Sequence, residues 1–255
     1  MIIFEHVNFR RDDRMILTDV NLQFRPGEHW VILGKNGSGK TTILEMMNGY
    51  LFPTSGKIRM MGNTYGECDV REVRKKIGYS SQSLMEKLSL RDPVWEVVAT
   101  GQYGFLRFYQ DIPDDVQEKA RMMLEKVKLG RQADQPLGVL SQGERKKVML
   151  ARSMMMEPRV LIMDEPCSGL DLYEREKLLE DLETFKDEVD NLVYVTHHIE
   201  EIVPVFTHVL LLHEGKVLAA GEKKEVLTEE RIKQTFQVPV KLEWSLDRPW
   251  IKVVG

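Results

Sequence analysis

The stretch Gly34 to Thr42, GKNGSGKTT, gathers three glycines, two lysines and three hydroxyl side chains at a spacing suited to holding phosphate. Glycine at 34, 37 and 39 permits backbone angles and close approaches that a side chain would block. The N–H groups running through Lys35, Asn36, Ser38 and Gly39 can then turn inward on phosphate oxygens, helped by the positive end of a following helix. Lys40 is spaced to reach the β- and γ-phosphates, and the Thr41 hydroxyl to ligate Mg²⁺, with Thr42 continuing the helix. Such a loop needs a strand before it and a helix after it. Trp30-Val31-Ile32-Leu33 is an apolar run of the first kind, and Ile43 to Met47 carries helix-forming residues. The expectation is a site for a nucleoside triphosphate and Mg²⁺.

Further on, the apolar run Val160 to Met163 ends in two carboxylates, Asp164 and Glu165. Strands of a phosphate-loop fold end at one edge, so Asp164 is expected beside Mg²⁺ and Glu165 where it polarises an attacking water. Taken alone, a strand-end Asp-Glu is usually a solvated cap; the upstream loop reverses that reading. Leu140-Ser141-Gln142-Gly143-Glu144 opens a helix that runs on through Arg145 to Arg152. Ser141 as N-cap with Glu144 in the first turn is sound helix chemistry whatever else it does.

The order of phosphate loop, lone Gln82, Leu-Ser-x-Gly-x helix, strand plus Asp-Glu, Ser168-Gly169-Leu170-Asp171, and Thr196-His197 resembles the ATPase domain of the ATP-binding cassette (ABC) family. The resemblance covers about Ile2 to Val238. It implies an α/β P-loop core, an antiparallel β-subdomain and an inserted α-helical subdomain. It also implies ATP hydrolysis with Mg²⁺ held by Thr41, Gln82 and Asp164. By the same resemblance Gln82 senses the metal and the attacking water, Glu165 is the base and His197 is the switch histidine. Ser141 and Gly143 would contact the γ-phosphate of ATP held by the opposite subunit, and Asp171 would belong to a loop crossing that interface. Gln142 and Glu144 depart from the usual Leu-Ser-Gly-Gly-Gln, and His198 stands where Asp is more usual. Arg11 occupies the place of an aromatic residue that often stacks on adenine. Its planar guanidinium could stack instead, or it is a solvated turn arginine.

These groups require particular elements to carry them. Met1 to Phe9 and Ile16 to Phe24 alternate as strands joined by a polar turn at Arg10 to Arg14. Lys57 to Met61 and Ile77 to Ser80 read as short strands, with Val70 to Lys76 helical between them. From Asp92 to about Gln135 the pattern is helical, clearest at Val94 to Thr100 and Val116 to Val127. The single domain, 1–255, thus carries an inserted helical subdomain over about 92–156 in its P-loop core. Tyr173 to Glu188 reads as a helix and Leu192 to Thr196 as a strand. Val209 to Leu212 and Val217 to Ala220 form a hairpin. After two short helical pieces, Trp250 to Val254 reads as a last edge strand. Met154-Met155-Met156 is a helix end packed in the core rather than a metal site.

At 255 residues, 42% hydrophobic and 30% charged, the chain has the composition of a soluble globular protein. A formal charge of -4 gives no general reason to expect nucleic acid. Cys68 and Cys167 lie far apart without metal-like spacing, which favours a reduced cytosolic setting. The first residues lack the apolar core of a signal peptide, and Val209 to Leu212 is far shorter than a membrane span. Any membrane role must come through a partner. The resemblance implies a homodimer, or a heterodimer with a related ATPase subunit, formed on ATP binding. It implies integral membrane permease subunits as further partners, at the cytoplasmic face of the membrane. The other reading is a soluble cytoplasmic ABC ATPase working on nucleic acid or another machine, because Thr196 to Pro204 resembles a molybdate-associated or photorepair-like subgroup. The substrate path of the family lies in the membrane partner, so substrate and direction are not written in this chain.

Overall fold

The computed structural model describes residues 1–254; the expected domain end, Gly255, lies outside the described residues. In chain order, β1 (Ile2–Arg11), β2 (Arg14–Phe24) and β3 (Trp30–Leu33) precede α1 (Lys40–Met47). β4 (Ser55–Met60), β5 (Asn63–Thr64) and α2 (Val70–Arg74) follow. Then come β6 (Ile77–Ser81), α3 (Gln82–Met85), α4 (Val94–Ala99), α5 (Asp114–Lys126) and α6 (Gln142–Ser153). Next are β7 (Val160–Asp164), α7 (Leu172–Phe185) and β8 (Asn191–Thr196). The chain closes with β9 (His208–His213), β10 (Lys216–Glu222), α8 (Lys223–Val226), α9 (Glu229–Phe236), β11 (Val240–Ser245) and β12 (Arg248–Val253). It divides into two compact units, one of Met1–Arg74 with the stretch from Asp190, the other Lys75–Val189.

The first unit holds an antiparallel sheet ordered β2-β1-β4-β5. Alternation buries Ile2 and Phe4 of β1 opposite Phe24 and Leu22 of β2. Past a register shift Val7 faces Val20, and Leu17 is buried opposite Phe9. The expected polar turn is tighter than Arg10 to Arg14, because Arg10 pairs with Met15 and Arg11 with Arg14. Asp12 makes that turn with φ 53°. The same unit holds β3, parallel to both β8 and β9, with β10 antiparallel on β9. Every residue of β3 and β8 is buried. That is why these strands read as continuous apolar runs rather than alternating ones.

The C-terminal region differs from the sequence reading. Instead of one edge strand, β11 and β12 form a two-stranded hairpin, with Ser245 opposite Arg248. Its turn residues, Leu246 and Asp247, both adopt positive φ (49° and 61°). Two-residue turns of that kind usually advertise themselves with Asn-Gly or Asp-Gly. Leu-Asp carries no such signal.

In the second unit β6 and β7 run parallel, with Ile77 opposite Val160 and Ser81 opposite Asp164. Residues 92–156 hold α4, α5 and α6 with short 3₁₀ turns, and no strand among the described residues. Helix α6 is pinned along its length. Lys147 pairs with the fully buried Asp181 of α7 at 2.8 Å. Arg145 donates to Gly138 O at 2.7 Å, and Arg152 Nε donates to Thr100 Oγ1 at 2.9 Å. Met154 and Met155 are buried at its end, as core residues.

Candidate functional site

The phosphate loop leaves β3 and enters α1, and its shape is set by close approach. A Cβ on Gly34 would lie 2.5 Å from both Leu212 O and Ser38 Oγ, so only glycine fits. Gly39 precedes α1 with φ 107°, a conformation L side chains rarely adopt. The loop is tied down from behind by the β9–β10 hairpin, where Gly215 N donates to Ser38 O at 3.0 Å.

Three observations suit this loop to an anion. The start of α1 has no side-chain cap and no acidic residue in its first turn, so its N–H groups and positive dipole end are left for something else. Ser38 Oγ is buried and has no hydrogen-bond partner among the described residues. The buried Lys40 ammonium donates to Gly34 O at 2.8 Å and Lys35 O at 3.1 Å. That collar of carbonyls holds a charge that a phosphate would meet directly. Asn36 and Gly37 form the exposed tip, Thr41 is exposed and Thr42 half-buried. Lys35 is turned away, its Nζ donating to Gln237 Oε1 at 2.6 Å. Arg11 is exposed, with its guanidinium 5.8 Å from the Phe9 ring centroid.

The end of β8 is braced by a buried carboxylate the sequence reading did not single out. Glu201 Oε2 accepts from Tyr194 Oη at 2.8 Å and from Thr196 Oγ1 at 2.6 Å. Thr196 Oγ1 in turn accepts from the His198 N–H at 3.0 Å. This chain of bonds fixes the backbone on both sides of His197. Arg248 of β12 holds the same turn from outside, donating to Glu200 O at 2.6 Å. His197 is half-buried and His198 exposed, with ring centroids 4.2 Å apart. Tyr and Thr inside an apolar strand, followed by Glu five residues after Thr196, were the available signal.

In the second unit the β6–β7 register brings two of the predicted stretches to one edge. Ser81 sits opposite Asp164, so Gln82 and Glu165 are each the next residue out. Ser81 caps α3 by accepting from Leu84 N at 3.2 Å. Glu165 adopts φ 46°, turning the chain sharply after β7. A left-handed non-glycine residue costs about 1–3 kcal/mol and persists only where its surroundings demand it. Gln82 is engaged at both ends of its amide: Nε2 donates to Glu86 Oε1 at 2.9 Å, and Oε1 accepts from Lys146 Nζ at 2.8 Å. Lys146 is a second group the sequence reading passed over, hidden in the basic run Arg145-Lys146-Lys147.

Helix α6 begins with a complete capping box: Ser141 Oγ accepts from Glu144 N at 3.2 Å, and Glu144 Oε2 accepts from Ser141 N at 2.8 Å. The departure at Glu144 thus has a local purpose. Gly143 is buried where a Cβ would run into the Glu174 carboxylate. Gln142 is exposed, and its Nε2 would lie 2.8 Å from a Cβ at Gly169. Asp171 caps α7, accepting from Glu174 N at 2.9 Å.

Phosphate loop, uncapped helix start and paired strand-end carboxylates define a P-loop nucleoside triphosphatase, and the comparisons narrow the class. A family model described as ABC transporter matches residues 17–168, more than half the chain. The uncharacterized ABC transporter ATP-binding protein YlmA of Bacillus subtilis is 38% identical over 250 residues, covering 97% of this chain and 95% of that protein. Among solved structures, cbiO1 of Clostridium perfringens, part of the ABC transporter complex cbiONQ, superposes with TM-score 0.79. It is 28% identical and covers 91% of this chain and 92% of its own. A dimeric ABC transporter cassette, MJ0796, superposes with TM-score 0.74 at 25% identity, over 87% of this chain and 98% of its own. The chain belongs to the ABC transporter family and is one of its ATP-binding, ATP-hydrolysing subunits. The relatives named are transporter cassettes, and they lend no support to the nucleic-acid reading.

Proposed function

We propose that this subunit powers transport by permease subunits at the cytoplasmic face of a membrane, as a homodimer or with a related ATPase chain. Supporting this, cbiO1 is part of a transporter complex and MJ0796 is a dimeric cassette. No helix among the described residues is long and apolar enough to cross a membrane, so partners would supply the path. The helical stretch about 92–156 is read as the family's inserted arm.

The observation that carries the nucleotide role is the α1 start, with its open N–H groups, orphaned Ser38 hydroxyl and collared Lys40. In this reading Gly34 to Gly39 cradle the phosphates, while Lys40 leaves its carbonyl collar to hold the β- and γ-phosphates. Thr41, Gln82 and Asp164 are hard oxygen donors of the kind Mg²⁺ selects and would hold it. Bound there, the metal would neutralise charge developing on the transferred phosphoryl group. Glu165 accepts a proton from the attacking water, and His197 orients that water and steadies the γ-phosphate. Ser141 and Gly143, flanked by Gln142 and Glu144, meet the nucleotide held by the opposite subunit, with Asp171 at the same interface. Arg11 stacks on the base.

The test separates binding from chemistry. Lys40→Ala should lose nucleotide affinity and turnover together. Glu165→Gln should keep ATP binding while turnover falls about 10²–10⁴-fold, the ordinary worth of a general base. His197→Ala should be severely impaired and His198→Ala should keep appreciable activity. Wild-type turnover in Glu165→Gln would overturn the assignment of the base, and the reverse histidine ranking would move the switch to His198.

A further inference from the structure

Three of the four basic side chains on α6 have structural partners: Arg145 a backbone carbonyl, Lys147 the buried Asp181, Arg152 the Thr100 hydroxyl. Lys146 is different. It is 4% exposed, and its ammonium donates to the carbonyl oxygen of Gln82 at 2.8 Å. The other end of that amide donates to Glu86 at 2.9 Å, so a neutral amide is threaded between a buried cation and a carboxylate. Burial pushes the Lys146 pKa below the usual lysine value, opposed by Cys167, Glu86 and Glu165. A buried ammonium facing only a neutral carbonyl, with carboxylates in its field, has a better partner close by.

We propose that Lys146 is a positioning residue that parks the Gln82 carbonyl, so that α6 controls when Gln82 can serve Mg²⁺. The inference rests on the reading of Gln82 as a metal ligand given above. One oxygen cannot comfortably face an ammonium at 2.8 Å and a divalent cation at ligand distance, because the two positive groups repel across a few ångströms. The two bonds are therefore alternatives. When Gln82 withdraws, Lys146 and Glu86 are left facing each other as opposite charges and close into a direct ion pair. That gives the device two discrete states, amide inserted or amide withdrawn. The lysine that chooses between them lies on the helix that begins at Ser141. An event at the start of α6 is thereby linked to the ligand set of the metal.

The experiment measures how much Mg²⁺ strengthens binding of the non-hydrolysed β,γ-imido analogue of ATP, as the ratio of Kd in EDTA to Kd in excess Mg²⁺. No turnover is involved. Gln82→Ala should lower that ratio. Lys146→Met, which frees the amide, should raise it about fivefold, the low end of coupling between linked sites. In Gln82→Ala/Lys146→Met the gain should vanish. Glu86→Gln, an exposed change that keeps an acceptor for the amide but removes the ion-pair partner, should lower the ratio and remains informative should Lys146→Met fold poorly. If Gln82→Ala leaves the ratio unchanged, the metal role of Gln82 falls and the parking falls with it. If Gln82→Ala lowers the ratio but Lys146→Met and Glu86→Gln do not move it, or Lys146→Met raises it without Gln82, only the parking is overturned.

Discussion

Two helices in this chain begin at residues with proposed roles toward phosphate, and they begin in opposite ways. Helix α1 has no capping side chain and no acidic residue in its first turn, and beside it lies a buried serine hydroxyl without a partner among the described residues. Helix α6 has a full capping box, with Ser141 and Glu144 satisfying each other's backbone donors. The first leaves its donors for a ligand; the second is already stable without one. Since α6 carries a carboxylate in its first turn, its attraction for phosphate in isolation is weak. The contrast amounts to a division of labour. Under the proposed function the monomer would bind nucleotide through α1, and α6 would contribute only when a second copy brings a phosphate already neutralised by Lys40 and Mg²⁺.

The largest effect that would break this comparison is expected on the α1 side. Gly34→Ala would press a Cβ against Leu212 O and Ser38 Oγ, both 2.5 Å away. Overpacking of this sort costs roughly 1–3 kcal/mol, so ATP affinity should fall about tenfold to a hundredfold. Titration calorimetry checks it, with circular dichroism to show the fold is kept. On the α6 side the expected effect is smaller and of another kind. Ser141→Ala removes the cap and should cost ~1 kcal/mol of stability, read as a lower denaturation midpoint. ATP affinity of the monomer should be unchanged. A large loss of monomer affinity in Ser141→Ala would erase the distinction between the two helix starts.

Sequence legibility follows the same division. The phosphate loop is built from backbone, and a backbone shape that forbids Cβ atoms must be written as glycine, so Gly34 to Lys40 could be read outright. Strands β3, β7 and β8 were legible because burial on both faces leaves them mostly apolar. What escaped was built from side chains meeting at long range. Lys146 reaches Gln82 across 64 positions of sequence, and nothing in a run of three basic residues says which one turns inward. Glu201 escaped because its partners are hydroxyls spaced along a strand, a pattern common in surfaces. The β11–β12 hairpin escaped because Leu246-Asp247 adopts a turn its residue types do not announce. The compact unit Lys75–Val189 is wider than the helical stretch 92–156, since the parallel pair β6–β7 and helix α7 fall inside it.

If one chain holds two half-sites, its assembly must depend on ATP. The measurement is size-exclusion chromatography with light scattering on Glu165→Gln, with and without ATP. Without nucleotide the protein should run as a monomer. With ATP it should run as a dimer burying two nucleotides, as a two-fold contact requires. Ser141→Arg added to Glu165→Gln should abolish the dimer by filling the γ-phosphate position, while ATP still binds the monomer. A Glu165→Gln protein that never dimerises with ATP, or a Ser141→Arg/Glu165→Gln protein that still does, would reduce the start of α6 to a capped helix and contradict the split site.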